Sequence, residues 1–336
     1  MSKQIRWGIL GAARVNERLL PAILQAENAQ LVAIASRRAG AAAALLQSLA
    51  PERSGIIALD DPLALLMRDD IDAVYLPMAN EEHAHWAMHA IKAEKHVLIE
   101  KPMALKVADI DAIKALADKA NVKVMEGFMY RFHPQHQAVE KIIDSGAIGE
   151  VRMVRTCFSF PMKEARMYRI DRSIANGGGA MWDIGPYAIH TARLWFDQEP
   201  ESVMAMAKLN QYGADVSLAG MFDFSEGRYA QFEISFEHAR RSEYEIIGTL
   251  GGIKCHIVWQ HAADKPVISW WTDAGQREQL DLAAADHFVM EIEHFSDCIL
   301  NDTTPMLSLG DARANCAAIE AALSSASQGK RVSING

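Results

Sequence analysis

Long hydrophobic runs, paired cysteines and an excess of positive charge are all missing from this 336-residue chain. Nowhere do about 18 uninterrupted apolar residues occur, so the sequence predicts no membrane span. The N-terminus enters Ile5-Arg6-Trp7-Gly8-Ile9-Leu10, where Arg6 and then Arg14 interrupt the apolar core that a secretory signal needs. The four cysteines, Cys157, Cys255, Cys298 and Cys316, are far apart and form no C-x-x-C pair. That excludes a small disulfide-stapled scaffold and predicts free thiols in a reducing compartment, the cytoplasm. Lys plus Arg number 34 against 43 Asp plus Glu, a net charge of −9. This sign repels phosphate backbones, and the basic clusters are only pairs such as Arg37–Arg38 and Arg240–Arg241, so nucleic acid is not an expected partner. With 50% hydrophobic and 23% charged residues the composition is that of an ordinary globular protein and excludes disorder. The length suggests about two domains.

The first third alternates two patterns. Short apolar runs at Ile5–Leu10, Leu31–Ala35, Ala73–Leu76, His96–Ile99 and Val122–Met125 have the form of buried parallel strands. Between them lie helical stretches such as Glu81–Ala93 and Val107–Lys119, long enough for the crossovers that parallel strands require. This predicts an α/β fold with an N-terminal doubly wound parallel sheet over residues 1–127. After Phe128 the period changes. One more helix, Pro134–Ser145, precedes alternating segments at Val151–Phe160, Glu201–Leu209, Val216–Phe224, Tyr229–Phe236, Tyr244–Gly248 and Val267–Trp271. Ser225-Glu226-Gly227 and Gly251-Gly252 are turn signals between them. Residues 128–336 should therefore build a C-terminal α/β domain on a large, mainly antiparallel, open sheet. Helices are expected at Gly179–Phe196, His287–Leu300 and Gly310–Ser327, the last ones packing back on the first domain.

The first strand-to-helix turn reads Gly8-Ile9-Leu10-Gly11-Ala12-Ala13-Arg14-Val15-Asn16. A dinucleotide fingerprint needs small residues for a tight turn and for backbone approach to pyrophosphate. Only Gly11 is clear, with Ala13 and Asn16 at the other two positions. A plain strand-to-helix turn would share these letters, but the complete βαβ unit around them favours a cofactor site using Gly11, Ala12, Ala13 and Arg14. The second strand ends at Ala35-Ser36-Arg37-Arg38, with no neighbouring carboxylate for ribose hydroxyls. A hydroxyl followed by two guanidiniums suits a 2′-phosphate, so NADP(H) is expected over NAD(H). Two solvated arginines opening a helix are the alternative.

The fifth strand runs into Glu100-Lys101-Pro102, which places Lys101 at the carboxyl end of a parallel sheet, where ligands bind. Further on, Gly177-Gly178-Gly179 leads into Ala180-Met181-Trp182-Asp183-Ile184-Gly185-Pro186-Tyr187-Ala188-Ile189-His190. Asp183 and Tyr187 share a helical face if a turn of helix already exists at Asp183. A tyrosine there could exchange a proton with a hydroxyl beside a cation such as Lys101. His83, His85 and His89 cluster on one helix, but no third ligand can be named and no metal site is expected.

Together, Glu100-Lys101-Pro102, the glycine triplet with Asp183, Gly185 and Tyr187, Pro77-x-x-Asn80-x-x-His83 and Gly248-Thr249-x-Gly251 resemble the glucose-fructose oxidoreductase and inositol dehydrogenase family over essentially the whole chain. Met125-Glu126-Gly127-Phe128-Met129-Tyr130-Arg131-Phe132-His133-Pro134 resembles its NADP-dependent dihydrodiol and xylose dehydrogenase branch. The resemblance implies hydride transfer between a nicotinamide and a carbinol or carbonyl carbon of a sugar, polyol or cyclic diol. It further implies a carbohydrate-like substrate, and a homodimer or dimer of dimers through the open sheet. Lys101 matches the catalytic lysine, Tyr187 the acid–base position and Asp183 the carboxylate before it. Pro77, Asn80, His83 and Glu100 fall near the cofactor. Arg131, Phe160, Tyr168, Arg169 and His190 are candidates for substrate contact. The family also includes a corepressor of sugar metabolism, so a non-catalytic dinucleotide sensor is the second expectation.

Overall fold

A computed structural model describes residues 3–196, 198–259 and 265–334. In chain order the elements are β1 (Ile5–Leu10), α1 (Asn16–Gln25), β2 (Ala29–Ala35), α2 (Ala41–Leu49), β3 (Ile57–Leu59), α3 (Pro62–Leu66), β4 (Ala73–Leu76), α4 (His83–Lys92), β5 (His96–Glu100), α5 (Val107–Ala120) and β6 (Val124–Gly127). They continue as α6 (Pro134–Asp144), β7 (Val151–Ser159), α7 (Ala180–Asp183), α8 (Gly185–Leu194), β8 (Ser202–Leu209), β9 (Asp215–Asp223), β10 (Tyr229–Ser235) and β11 (Arg241–Gly248). The last are β12 (Gly251–His256), β13 (Val267–Thr272), β14 (Arg277–Asp281), α9 (His287–Leu300), α10 (Leu309–Gln328) and β15 (Val332–Ser333). Two compact units result, residues 1–132 with 286–313, and residues 133–285 with 314–336.

In the first unit six strands pair in parallel in the order β3-β2-β1-β4-β5-β6. The order reverses between β1 and β4, and crevices for ligands form at the carboxyl ends of strands beside such a reversal. The apolar runs predicted from sequence lie inside: Ile9, Leu10, Ile34, Val74, Tyr75, Leu98 and Ile99 are fully buried. α9 belongs to this unit and packs against α1. Its Phe295 meets the Trp7 ring at 5.8 Å, and the buried Trp7 indole donates to Ser296 Oγ at 3.1 Å.

The second unit holds nine strands in the order β14-β13-β12-β11-β7-β10-β9-β8-β15. β7 and β10 run parallel, and the other neighbouring strands in this order run antiparallel. One face buries Val154, Phe158, Phe232, Ile234 and Ile246, with α8 packed on β7 and β10. The other face carries Arg155, Glu233, Glu245 and Lys254 beside Met204 and Met221, around a depression of about 610 Å³.

Two expectations are corrected here. The turn between β11 and β12 falls on Thr249-Leu250, while Gly251 and Gly252 already lie in β12, flat against Trp271. The helix expected over Gly179–Phe196 is two pieces. Ile184, at φ −113°, breaks the ladder, and Pro186 sits in the first turn of α8, where its missing N–H costs nothing.

Candidate active site

On the first unit the predicted cofactor residues gather at the carboxyl ends of the strands. Gly11 follows β1 at φ +140°, a conformation closed to residues with a Cβ, and sits against Pro77 and Met78 at the end of β4. Asn16 explains the departure from the glycine pattern. It is fully buried, and its Nδ2 donates to the Gly11 carbonyl at 2.7 Å, closing the turn with a side chain. The donor series of the helix begins at the Asn16 amide, so residues 12–15 precede the ladder at the place where helix N-termini hold phosphate. Replacing Asn16 by Ala leaves the Gly11 carbonyl without this donor. We expect a cost of about 1–2 kcal/mol in urea denaturation and weaker binding of a nicotinamide dinucleotide by fluorescence titration.

Ser36 is buried at the end of β2, and its Oγ accepts from the Arg38 amide at 3.2 Å. Arg38 Nη2 donates to the Ala12 carbonyl at 2.7 Å, joining the first and second strand ends. A carboxylate does reach this corner, from a part of the chain that local sequence could not show. Glu82 pairs with Arg37 at 2.6 Å. Its charge is met by that guanidinium, and Ser36 and Arg38 remain the hydroxyl and cation that fit a 2′-phosphate.

Lys101 follows β5 and is joined to Pro102 by a cis peptide bond. The surrounding turn is held from three sides. The Tyr75 hydroxyl donates to Glu100 Oε1 at 2.5 Å, and Glu126 Oε1 accepts from the Met103 amide at 2.7 Å. The buried His83 ring lies between the carbonyls of Pro102, 2.7 Å from Nδ1, and Met78, 2.9 Å from Nε2. Burial holds the His83 pKa below its ordinary value, and a neutral ring donates to only one of these carbonyls. His83 thus clamps the ends of β4 and β5 from within the chain. Glu291 on α9 was not anticipated. It is buried, its Oε1 meets no hydrogen-bond partner among the described residues, and burial followed by the Glu100 charge pushes its pKa well up. Arg131 Nε and Nη1 are likewise buried with no hydrogen-bond partner among the described residues. A guanidinium in that state is costly unless a ligand completes it.

On the second unit the glycine triplet owes its composition to close contacts with its own chain. A Cβ on Gly178 would overlap the Arg172 carbonyl oxygen. On Gly179, at φ +108°, it would overlap Asp215 Oδ1. Asp215, at the start of β9, is fully buried and caps α7, its Oδ2 accepting from the Met181 amide at 2.7 Å. Its Oδ1 has no hydrogen-bond partner among the described residues, and burial pushes its pKa up to about 7 against the pull of the backbone amides. Nothing in the sequence marks this residue.

Asp183 ends α7 in an ion pair with Arg169, whose guanidinium the Asp183 charge holds above its ordinary pKa. Arg169 Nε also lies 3.4 Å from the Tyr168 hydroxyl. Tyr187, in the first turn of α8, is buried, with Phe158 at 5.9 Å and Trp259 at 6.4 Å between ring centres. Asp183 and Tyr187 are therefore held by different partners on either side of the break at Ile184. Phe160 and His190 are buried, and Tyr168 is half exposed. Among the described residues no three His, Cys, Asp or Glu side chains gather as a metal site.

Residues 5–128 match the oxidoreductase family with an NAD-binding Rossmann fold, and residues 136–254 match the GFO/IDH/MocA C-terminal domain. The chain belongs to this family. Among its relatives is a dTDP-3,4-didehydro-2,6-dideoxy-alpha-D-glucose 3-reductase of Actinomadura kijaniata, 34% identical over 304 residues, which are 90% of this chain and 89% of the relative. A D-xylose 1-dehydrogenase (NADP(+)) of Haloferax volcanii is 29% identical over 98% of this chain and 99% of its own length. Among solved structures, a 3-ketoreductase from Actinomadura kijaniata in complex with NADP and TDP-benzene superposes with a TM-score of 0.88 at 31% identity, covering 96% of this chain and 98% of that one. The Gfo/Idh/MocA family expected from the motifs is thus the one that both halves of the chain match.

Proposed function

We propose that this Gfo/Idh/MocA protein is an NADP(H)-dependent oxidoreductase that interconverts a carbinol and a carbonyl on a sugar-like substrate. The observation that carries the reading is the row of strand ends on the first unit: Gly11 after β1, Ser36 after β2, Pro77 after β4 and Lys101 after β5. Two of the relatives above support the cofactor, the 3-ketoreductase solved in complex with NADP and the xylose dehydrogenase named for NADP(+). Bound there, the nicotinamide would supply or accept the hydride. Gly11, Ala12, Ala13 and Arg14 hold the pyrophosphate side, and Ser36 and Arg38 hold the 2′-phosphate. Tyr187 gives its phenolic proton to the substrate oxygen in reduction and takes it back in oxidation. Lys101 donates a charged hydrogen bond to that oxygen as negative charge develops on it. Asp183, fixed by Arg169, positions the segment that carries Tyr187.

The four cysteines are free thiols, which supports a cytoplasmic setting. No helix among the described residues is long and apolar enough to cross a membrane. The outer face of the nine-stranded sheet supports a homodimer or a dimer of dimers. Met206 is 74% exposed there, and further across the same sheet lie pairs of opposite sign such as Arg155–Glu245 and Lys254–Glu243, which a second copy could complement.

The test is steady-state turnover of NADPH and NADH against a panel of aldoses, keto-sugars and cyclic diols. Arg38→Ala should raise KM for NADPH by about 10–100-fold through loss of a charge-assisted bond, with a much smaller rise for NADH from the lost bond to the Ala12 carbonyl. An equal effect on both cofactors would remove the 2′-phosphate assignment.

A further inference from the structure

The strand ends of the first unit carry two opposite signals for one ligand. Ser36 and Arg38 offer a hydroxyl and a cation, the chemistry that a 2′-phosphate needs. Glu82 brings a carboxylate, the group with which a dinucleotide site accepts from ribose hydroxyls when that phosphate is missing. Arg37 follows β2, and Glu82 ends a 3₁₀ helix, Asn80–Glu82, that follows β4. Those two strands are the neighbours of β1, so the Arg37–Glu82 ion pair links the segments on either side of the Gly11 turn. Both Glu82 oxygens lie on a single nitrogen of Arg37, Oε1 at 2.6 Å and Oε2 at 2.7 Å from Nη2. The two-nitrogen fork, the strongest way for a guanidinium to hold an anion, is not spent on Glu82. The side chains keep 56% and 27% of their surface in solvent, where an ion pair is weak and screened by salt. This contact is one that a better anion can displace.

We propose that Glu82 is a specificity-determining residue: by holding Arg37 it opposes the 2′-phosphate, and so lets NAD(H) compete with NADP(H). The proposal rests on the reading of Ser36 and Arg38 as the 2′-phosphate site and adds the residue that works against it. A phosphate monoester carries about two negative charges and three strong acceptor oxygens, against the single charge of a carboxylate. It is the stronger partner for Arg37. When Arg37 turns to it, Glu82 loses its counter-charge and is left as a like charge in the same corner. NAD(H), with a hydroxyl in place of the phosphate, leaves the ion pair intact and meets neither opposition. Glu82 thus weakens the binding of one cofactor and spares the other, and discrimination depends on that difference rather than on affinity itself.

The test is fluorescence titration of the full chain with NADPH and with NADH, at low and at high salt. Glu82→Gln keeps the size of the side chain and removes its charge. It should tighten NADPH binding by about 3–10-fold, the effect of one like charge removed from a partly exposed site, and change NADH binding by less than about twofold. The gain should shrink at high salt, which a merely structural effect would not do. Arg37→Gln should weaken NADPH by at least a similar factor and leave NADH close to the wild type. Calorimetry with 2′-phospho-ADP-ribose and ADP-ribose should repeat both results, because the effect arises at the adenosine end. The proposal is overturned if Glu82→Gln shifts both cofactors alike or leaves their ratio at the wild-type value. It is equally overturned if Arg37→Gln leaves NADPH affinity unchanged, or if the two ADP-ribose probes do not follow the cofactors. Arg38→Ala separates this proposal from the site beneath it. A selective loss of NADPH in that variant, with no effect of Glu82→Gln, removes the role of Glu82 alone, whereas equal losses of NADPH and NADH remove the 2′-phosphate site itself.

Discussion

Tyr187→Phe should lower kcat for NADPH-dependent carbonyl reduction by about 10²–10⁴-fold, the range that a positioned acid–base group contributes. The substitution deletes one oxygen and keeps the ring among Phe158 and Trp259, so the fold and NADPH affinity should be untouched. Lys101→Ala should cost a comparable factor, about 10²–10³, because a charged donor to a developing oxyanion is lost. If both groups act on one oxygen, the double variant should lose far less than the product of the single losses. Single-turnover kinetics at saturating NADPH would show this. Wild-type rates in both single variants would reject the roles assigned to Tyr187 and Lys101, and fully multiplicative losses would show that the two groups act independently.

The second large effect concerns pH and stability. Asp215 is fully buried, and its carboxyl is raised from an ordinary 3.8 to about 7. The folded chain therefore holds this proton more tightly than the unfolded chain. The resulting stability is fully present below the unfolded pKa and is lost as pH rises through the folded one. Between pH 5 and pH 8 the loss from this one group should be about 2–3 kcal/mol. Glu291, raised by burial, acts with the same sign. His83, His96 and His133, lowered by burial, act oppositely and weaken the fold as pH falls. Asp215→Asn keeps an acceptor for the Met181 amide and removes the titration. Urea denaturation at the two pH values should show the wild type losing that much more stability than the variant, and parallel losses would refute the assignment.

What could be read in advance follows from which interactions are local. Strands buried on both faces form continuous apolar runs, so β1, β4 and β5 were legible to within about a residue, as were helices with a full apolar stripe such as α9. β3, with three residues, and α3, with five, are too short to establish a period. The strand-end glycine, lysine and arginines were visible because the fold places them at fixed points relative to the pattern. Their partners were not. Glu82 reaches Arg37 from 45 positions away, and Asp215 supports Met181 from 34. The break at Ile184 was half legible, since Pro186 announces a helix start but not that another helix has just ended.

The first unit closes its core with a segment that arrives late. Trp7 is fully buried against Phe295 and Ser296, residues separated from β6 in the chain by the whole nine-stranded sheet except its last edge strand. At ribosomal speeds of about 5–20 residues per second, the six parallel strands leave the exit tunnel roughly 10–30 s before α9 does. During that interval the nascent N-terminal half exposes an indole and its apolar neighbours, and it completes folding only after most of the second unit has been translated.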